Sequence, residues 1–129
     1  MTQEYRKLLL IDLSARLFYG VICKTSKGNG HLCSINQTIF GVEYGINIKA
    51  TERDYFNDSE EIIKPYLRPM SSMTEEEVDE FTQFDVYADG EYIMANYEAI
   101  NWLNANHFDY HGLIEMDLAL EAPEGMYKI

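Results

Sequence analysis

Cysteine is scarce in this chain, with only Cys23 and Cys33 among 129 residues. That is too few for the disulfide framework of a small secreted domain and fits a reducing compartment. Long apolar runs are missing too. The longest, Leu8-Leu9-Leu10-Ile11, stops at Asp12, far short of the ~20 residues of a membrane-spanning helix. Arg6 and Lys7 precede it, but the run is too short for a signal peptide and no small-residue cleavage site follows. The expectation is a cytoplasmic protein with no membrane contact. Basic side chains are nearly absent from the second half. Residues 71–129 hold one against 14 acidic, a net of −13, whereas residues 1–70 hold nine against eight, a net of +1. A half so charged repels a phosphate backbone, so the expectation is no direct nucleic-acid binding there. A basic protein partner, or simple solubility, is the alternative meaning. There is no Gly-rich phosphate loop, no GxGxxG, no HExxH and no GxSxG. The sequence names no reaction and implies no cofactor.

What is present reads as one α+β domain spanning 1–129, β-rich over about 19–66 and helix-rich and acidic over about 71–129. Its 47% hydrophobic content, with ten Tyr and six Phe, places it among globular chains. Residues 3–18 are ambiguous: Ile11, Leu13, Ala15 and Leu17 alternate as in a strand, yet the residue types are strong helix formers. The composition decides for an N-terminal helix. Tyr19–Thr25 and His31–Phe40 read as strands of a hairpin around the Ser26–Gly30 turn. Further strands are expected at Gly45–Ala50 and Ile62–Lys64, with Pro65–Pro69 as an extended connection. These make a small antiparallel sheet. Ser72/Glu75 and Thr74/Glu77 both fit a capping box, predicting a helix over about 75–83 with Val78, Phe81 and Phe84 toward the core. A hairpin around Asp89-Gly90, a helix over Tyr97–Ala105 and a last short strand at Leu118–Glu121 follow. Pro123-Glu124-Gly125 is expected to end the ordered chain.

Two constellations carry possible metal chemistry. A hairpin centred near Gly28 would set Cys23 opposite Cys33 and Thr25 opposite His31, gathering Cys23, His31 and Cys33 on one face. The spacing is not that of a zinc finger and no fourth ligand is evident, so packing is the competing reading. On a strand, His107, Asp109 and His111 would share one side, as a two-histidine, one-carboxylate set does at iron. Their place between a helix and Gly112 favours a loop, where such groups cap backbone or pair with one another. Asp85–Asn96 fails as a calcium loop, because Tyr87 holds the third position and Asn96 the twelfth, where a bidentate Glu belongs.

The stretch Ile63-Lys-Pro-Tyr-Leu-Arg-Pro-Met-Ser-Ser-Met-Thr-Glu-Glu-Glu77, with Ile100–Tyr110, Gly112-Leu-Ile114 and Leu118–Tyr127, resembles a family of short hypothetical proteins encoded by gut bacteria and their phages or mobile elements. The resembling segments make up a little under a third of the chain, and the resemblance implies a bacterial or phage accessory protein acting in the cytoplasm. It implies no catalytic or binding residue. The expected function is a non-enzymatic protein-interaction module, with Glu75, Glu76, Glu77, Asp79 and Glu80 as the surface that steers a basic partner. A small metal-dependent enzyme, an acidic nucleic-acid mimic and a phage structural subunit are the alternatives.

Overall fold

The computed structural model describes residues 2–48, 54–57, 61–84, 87–89, 92–94 and 97–127. Helix α1, Gln3–Arg16, starts at Thr2, whose side chain accepts the Tyr5 N–H, and ends in a single 3-10 turn over Leu17–Tyr19. Its buried stripe is Leu9, Asp12, Leu13 and Arg16, the i, i+3, i+4, i+7 spacing of a helix face. Ile11 is half exposed at 51%, so the alternation that imitates a strand has no structural meaning.

Strands β1 (Ile22–Thr25), β2 (Gly28–Thr38) and β3 (Gly41–Asn47) form two successive antiparallel hairpins. Short β4 (Tyr55–Phe56) pairs with Gly45 and Ile46 of β3. Residues 49 and 50, the end of the strand expected from sequence, lie outside the described residues. Strand β5 (Lys64–Pro69) corrects the expected connection: it pairs with β1 and lies inside the sheet. Pro65 and Pro69 are tolerated because they stand near its two ends, where a missing N–H costs few ladder bonds.

Helix α2 (Glu75–Thr82) uses the Thr74/Glu77 box of the two available, with both reciprocal bonds formed. Val78 is exposed, correcting its expected place in the core, whereas Phe81 and Phe84 pack on Trp102. Strands β6 (Tyr87–Asp89) and β7 (Tyr92–Met94) pair antiparallel as a separate ribbon. Their connecting Gly90 and Glu91 lie outside the described residues, as do Asp85 and Asn96. Helix α3 spans Tyr97–Ala105 with Ala99 and Leu103 buried. Two-residue strands β8 (Phe108–Asp109) and β9 (Leu120–Glu121) both join β5 in parallel.

The fold is therefore α+β, and the main sheet is mixed rather than purely antiparallel, in the order β4-β3-β2-β1-β5-β8 with β9 also on β5. One core joins the two halves of the chain: Leu9 and Leu13 of α1 meet Cys23, Leu32, Ile46 and Leu67 of the sheet and Leu113 and Leu118 beyond β8. Among the described residues, no helix is long and apolar enough to cross a membrane.

The chain end is tied down more firmly than Pro123 and Gly125 suggest. The Tyr127 hydroxyl accepts the Ile22 N–H at 2.8 Å and donates to the Tyr66 carbonyl at 2.7 Å. It bridges β1 and β5 just where their own ladder stops, satisfying two backbone groups that would otherwise be orphaned.

Candidate functional site

The hairpin turns between Ser26 and Lys27 instead of at Gly28, which moves every cross-strand partner three residues earlier. Cys23 faces Gly30 and Thr25 faces Gly28, so the expected Cys23–Cys33 and Thr25–His31 pairs do not form. A side chain at Gly30 would collide with the Asn47 carbonyl, which explains a glycine opposite Cys23. Cys23 is fully buried and its thiol is pushed up to about 12, chiefly by burial and then by the Asp12 carboxylate. Cys33 sits at a bulge between Leu32 and Ser34, is exposed, and donates to the Gly45 carbonyl and to Asp54. Desolvation and Asp54 raise its pKa, the opposite of what a nucleophilic thiol needs.

The second set is dispersed as well. Both carboxylate oxygens of Asp109 accept backbone N–H groups, from Leu113 at 2.9 Å and Ile114 at 3.0 Å. Asp109 stands on strand β8 and not in the loop expected from sequence, although its carboxylate does cap backbone groups of the segment that follows. His111 Nδ1 lies 2.7 Å from Asp12 Oδ2. His107 adopts a left-handed φ of 64° and stacks on Tyr127 with ring centres 3.7 Å apart. Among the described residues, no three His, Cys, Asp or Glu side chains converge as a metal ion would require.

His107 is nonetheless informative. It is buried, and burial first, then Arg16 and Arg68, pushes its pKa from 6.5 down to about 4. The folded protein thus holds it neutral, while the unfolded chain takes up a proton below pH 6.5. Between roughly pH 6.5 and 4 the unfolded state binds more protons, so stability falls as pH falls through that window. Asp12 and Glu77 extend the loss at lower pH. Burial would raise Asp12, but bonds from His111 and Arg16 outweigh it. Arg68 likewise holds Glu77 low. Carboxyls held low confer stability that disappears as pH falls through their folded values. Urea midpoints measured from pH 7 to 4 should decline for the wild type. His107→Asn, which keeps a side chain tolerant of positive φ, should flatten the upper part of that decline. An equally steep curve in the variant would assign the effect elsewhere.

The acidic helix α2 is less uniform than its sequence suggests. Glu75, Glu76 and Asp79 are exposed, and Glu80 accepts the Trp102 indole N–H at 3.0 Å. Glu77 is buried and grips Arg68 through two bonds of 2.7 and 2.6 Å. Its place in the expected steering surface is therefore corrected: the capping geometry turns it inward. Arg68 in turn lies 4.2 Å over the Phe108 ring, which stacks on Trp102, which stacks on Phe81. Phe81, Trp102 and Phe108 thus stack in one column that runs from half-buried to buried.

The feature that stands out is the tip of the β2–β3 hairpin. Ile39 is 93% and Phe40 79% exposed. Their turn, Thr38-Ile39-Phe40-Gly41, is built like the turn of the β1–β2 hairpin, Thr25-Ser26-Lys27-Gly28. In each, the threonine hydroxyl donates to the glycine carbonyl, at 2.9 and 2.7 Å. It also accepts the N–H of the third residue, at 3.1 and 3.0 Å. Gly41 and Gly28 share a φ of 127°, a conformation that glycine adopts without a steric penalty. One geometry carries Ser-Lys at one tip and Ile-Phe at the other, so the turn does not require apolar residues. The T-x-x-G repeat is readable in the sequence; the exposure of what lies inside it is not.

No family model, no curated protein and no solved structure matches this chain.

Proposed function

We propose that this chain is a non-enzymatic protein-interaction module that docks through the β2–β3 tip. The observation that carries the reading is the pair of like turns: a polar Ser26-Lys27 tip and an apolar Ile39-Phe40 tip on the same backbone. Two adjacent apolar side chains held in water cost about 1.5–3 kcal/mol each relative to burial, and the fold obtains nothing from them. Burial against another protein chain recovers that energy. The exposed Glu75, Glu76 and Asp79 belong to a half that repels nucleic acid and attracts basic protein surfaces. The resemblance of residues 63–77, 100–110, 112–114 and 118–127 to proteins of gut bacteria, phages and mobile elements supports an accessory role in such a system. A metal-dependent enzyme loses support, since neither candidate set converges among the described residues.

The test grafts one turn onto the other. Ile39→Ser with Phe40→Lys copies the sister tip, so the circular dichroism spectrum and melting temperature should stay near wild type. Proteins retained from host lysate by the immobilised wild type, co-expressed untagged copies of this chain included, should be lost with the graft. Retention of the same proteins at the same level by the grafted variant would sink the reading. Reversing Glu75, Glu76 and Asp79 to lysine should slow association with a basic partner at low salt, whereas association with a second acidic copy should quicken.

A further inference from the structure

We infer that the chain binding the apolar tip is a second copy of this one, each copy placing Ile39 and Phe40 in a groove beside the other's β3 edge. This rests on the reading that the tip is a contact. Two adjoining depressions flank the near side of β3. One is lined by Leu9, Tyr44, Ile62 and Ile63, the other by Lys7 and Leu10, and Arg6 and Val42 line both. Together they make one apolar groove between α1 and the hairpin, with Gln37 and its cross-strand partner Val42 on the hairpin side. The tip lies just beyond that pair in the chain. Knob and groove therefore occupy the same end of the molecule, the arrangement a two-fold, self-complementary contact needs.

The sheet edge permits the approach. Among the described residues, β4 pairs only with Gly45 and Ile46, and Asn57 Oδ1 accepts the Tyr44 N–H at 2.7 Å. From Gly41 to Glu43 no described strand covers β3 on that side.

Charge allows a second copy as the occupant here. A chain with net −12 repels a second copy over most of its surface. The groove, however, is lined wholly by residues of the first 70, whose net charge is +1. It carries both signs, with Arg6 and Lys7 beside Glu4 and Glu61. Two copies meeting there bring together mainly residues of the near-neutral first half, so self-association at this end costs less electrostatically than contact between the −13 halves.

Sedimentation of the purified full chain across the micromolar range tests the inference. The wild type should dimerise, and Ile39→Ser with Phe40→Lys should weaken the dimer by about a hundredfold or more, as loss of two central apolar anchors does. Ile62→Lys, a substitution at a 41% exposed groove position, should do the same from the other side. Mixing the two variants should restore a heterodimer, because that pair alone keeps one intact tip in one intact groove. Circular dichroism of each variant confirms that it is folded. A wild type that stays monomeric, or a mixture that recovers no dimer, overturns the second copy as occupant. Tip-dependent retention of a different protein from lysate would then leave the interaction reading standing. A dimer indifferent to the tip graft, with no tip-dependent lysate protein, overturns both.

Discussion

Asp12→Ala should destabilise the protein by about 3–5 kcal/mol, the cost of leaving one member of a buried ion pair alone. Asp12 and Arg16 are both fully buried. Arg16 Nε donates to Asp12 Oδ1 at 2.7 Å and Nη2 to Oδ2 at 3.1 Å. The same Nη2 donates to the Phe108 carbonyl at 2.7 Å, so the pair fastens α1 to β8. The Tyr110 ring covers the guanidinium at 5.2 Å. Removing the carboxylate strands a cation in the core, and its Nη1 already lacks a hydrogen-bond partner among the described residues. His111 loses its acceptor as well. Replacing both members, Asp12→Leu with Arg16→Met, should cost far less than either single change, because no charge is then left buried. Urea unfolding followed by circular dichroism measures all three. A single Asp12→Ala variant within about 1 kcal/mol of wild type would mean that water reaches Arg16.

Glu77→Ala should be the second severe change, at about 3 kcal/mol, and its effect should be on folding rather than on binding. Two losses combine. The Glu77 half of the capping box goes, so the Thr74 N–H loses its acceptor while the Thr74 hydroxyl still caps the backbone N–H of residue 77. The Arg68 guanidinium, 13% exposed as a side chain and seated on Phe108, loses its bidentate partner. Glu77→Gln keeps an acceptor for the Thr74 N–H and should fall between wild type and Ala. Glu75→Ala and Glu76→Ala, at exposed positions of the same turn, should shift stability by no more than about 0.5 kcal/mol. Thermal melts of the four variants decide it. Equal melting temperatures for Glu75→Ala and Glu77→Ala would return Glu77 to the surface.

These two residues also show where sequence reading stops. The T-x-x-E signature announces the start of α2 because capping is local: side chain and backbone lie three residues apart. That Glu77 also meets Arg68 is a long-range fact carried by no spacing. In α1 the failure is different. The helical period exists, at Leu9, Asp12, Leu13 and Arg16, but two of its four members are charged, so hydrophobicity traces an accidental alternation instead. The composition chose helix correctly where the pattern did not. An Asp and an Arg four apart on an otherwise apolar helix face is the signal that could have found the pair.

The chain's own pattern thus determined the helices, the existence of the β1–β2 and β6–β7 hairpins though not the register of the first, the α+β class and the uneven charge, because each depends on neighbours in sequence or on simple sums. Tertiary structure alone decided that His107, Asp109 and His111 part company, that Cys23 points inward and Cys33 outward, and that β5 lies inside the sheet despite its prolines. It also decided which of two like turns matters. Thr25-Ser26-Lys27-Gly28 and Thr38-Ile39-Phe40-Gly41 obey the same local rules, and only the fold leaves the apolar one standing in water. Backbone geometry is written by adjacent residues; exposure is written by everything else in the chain.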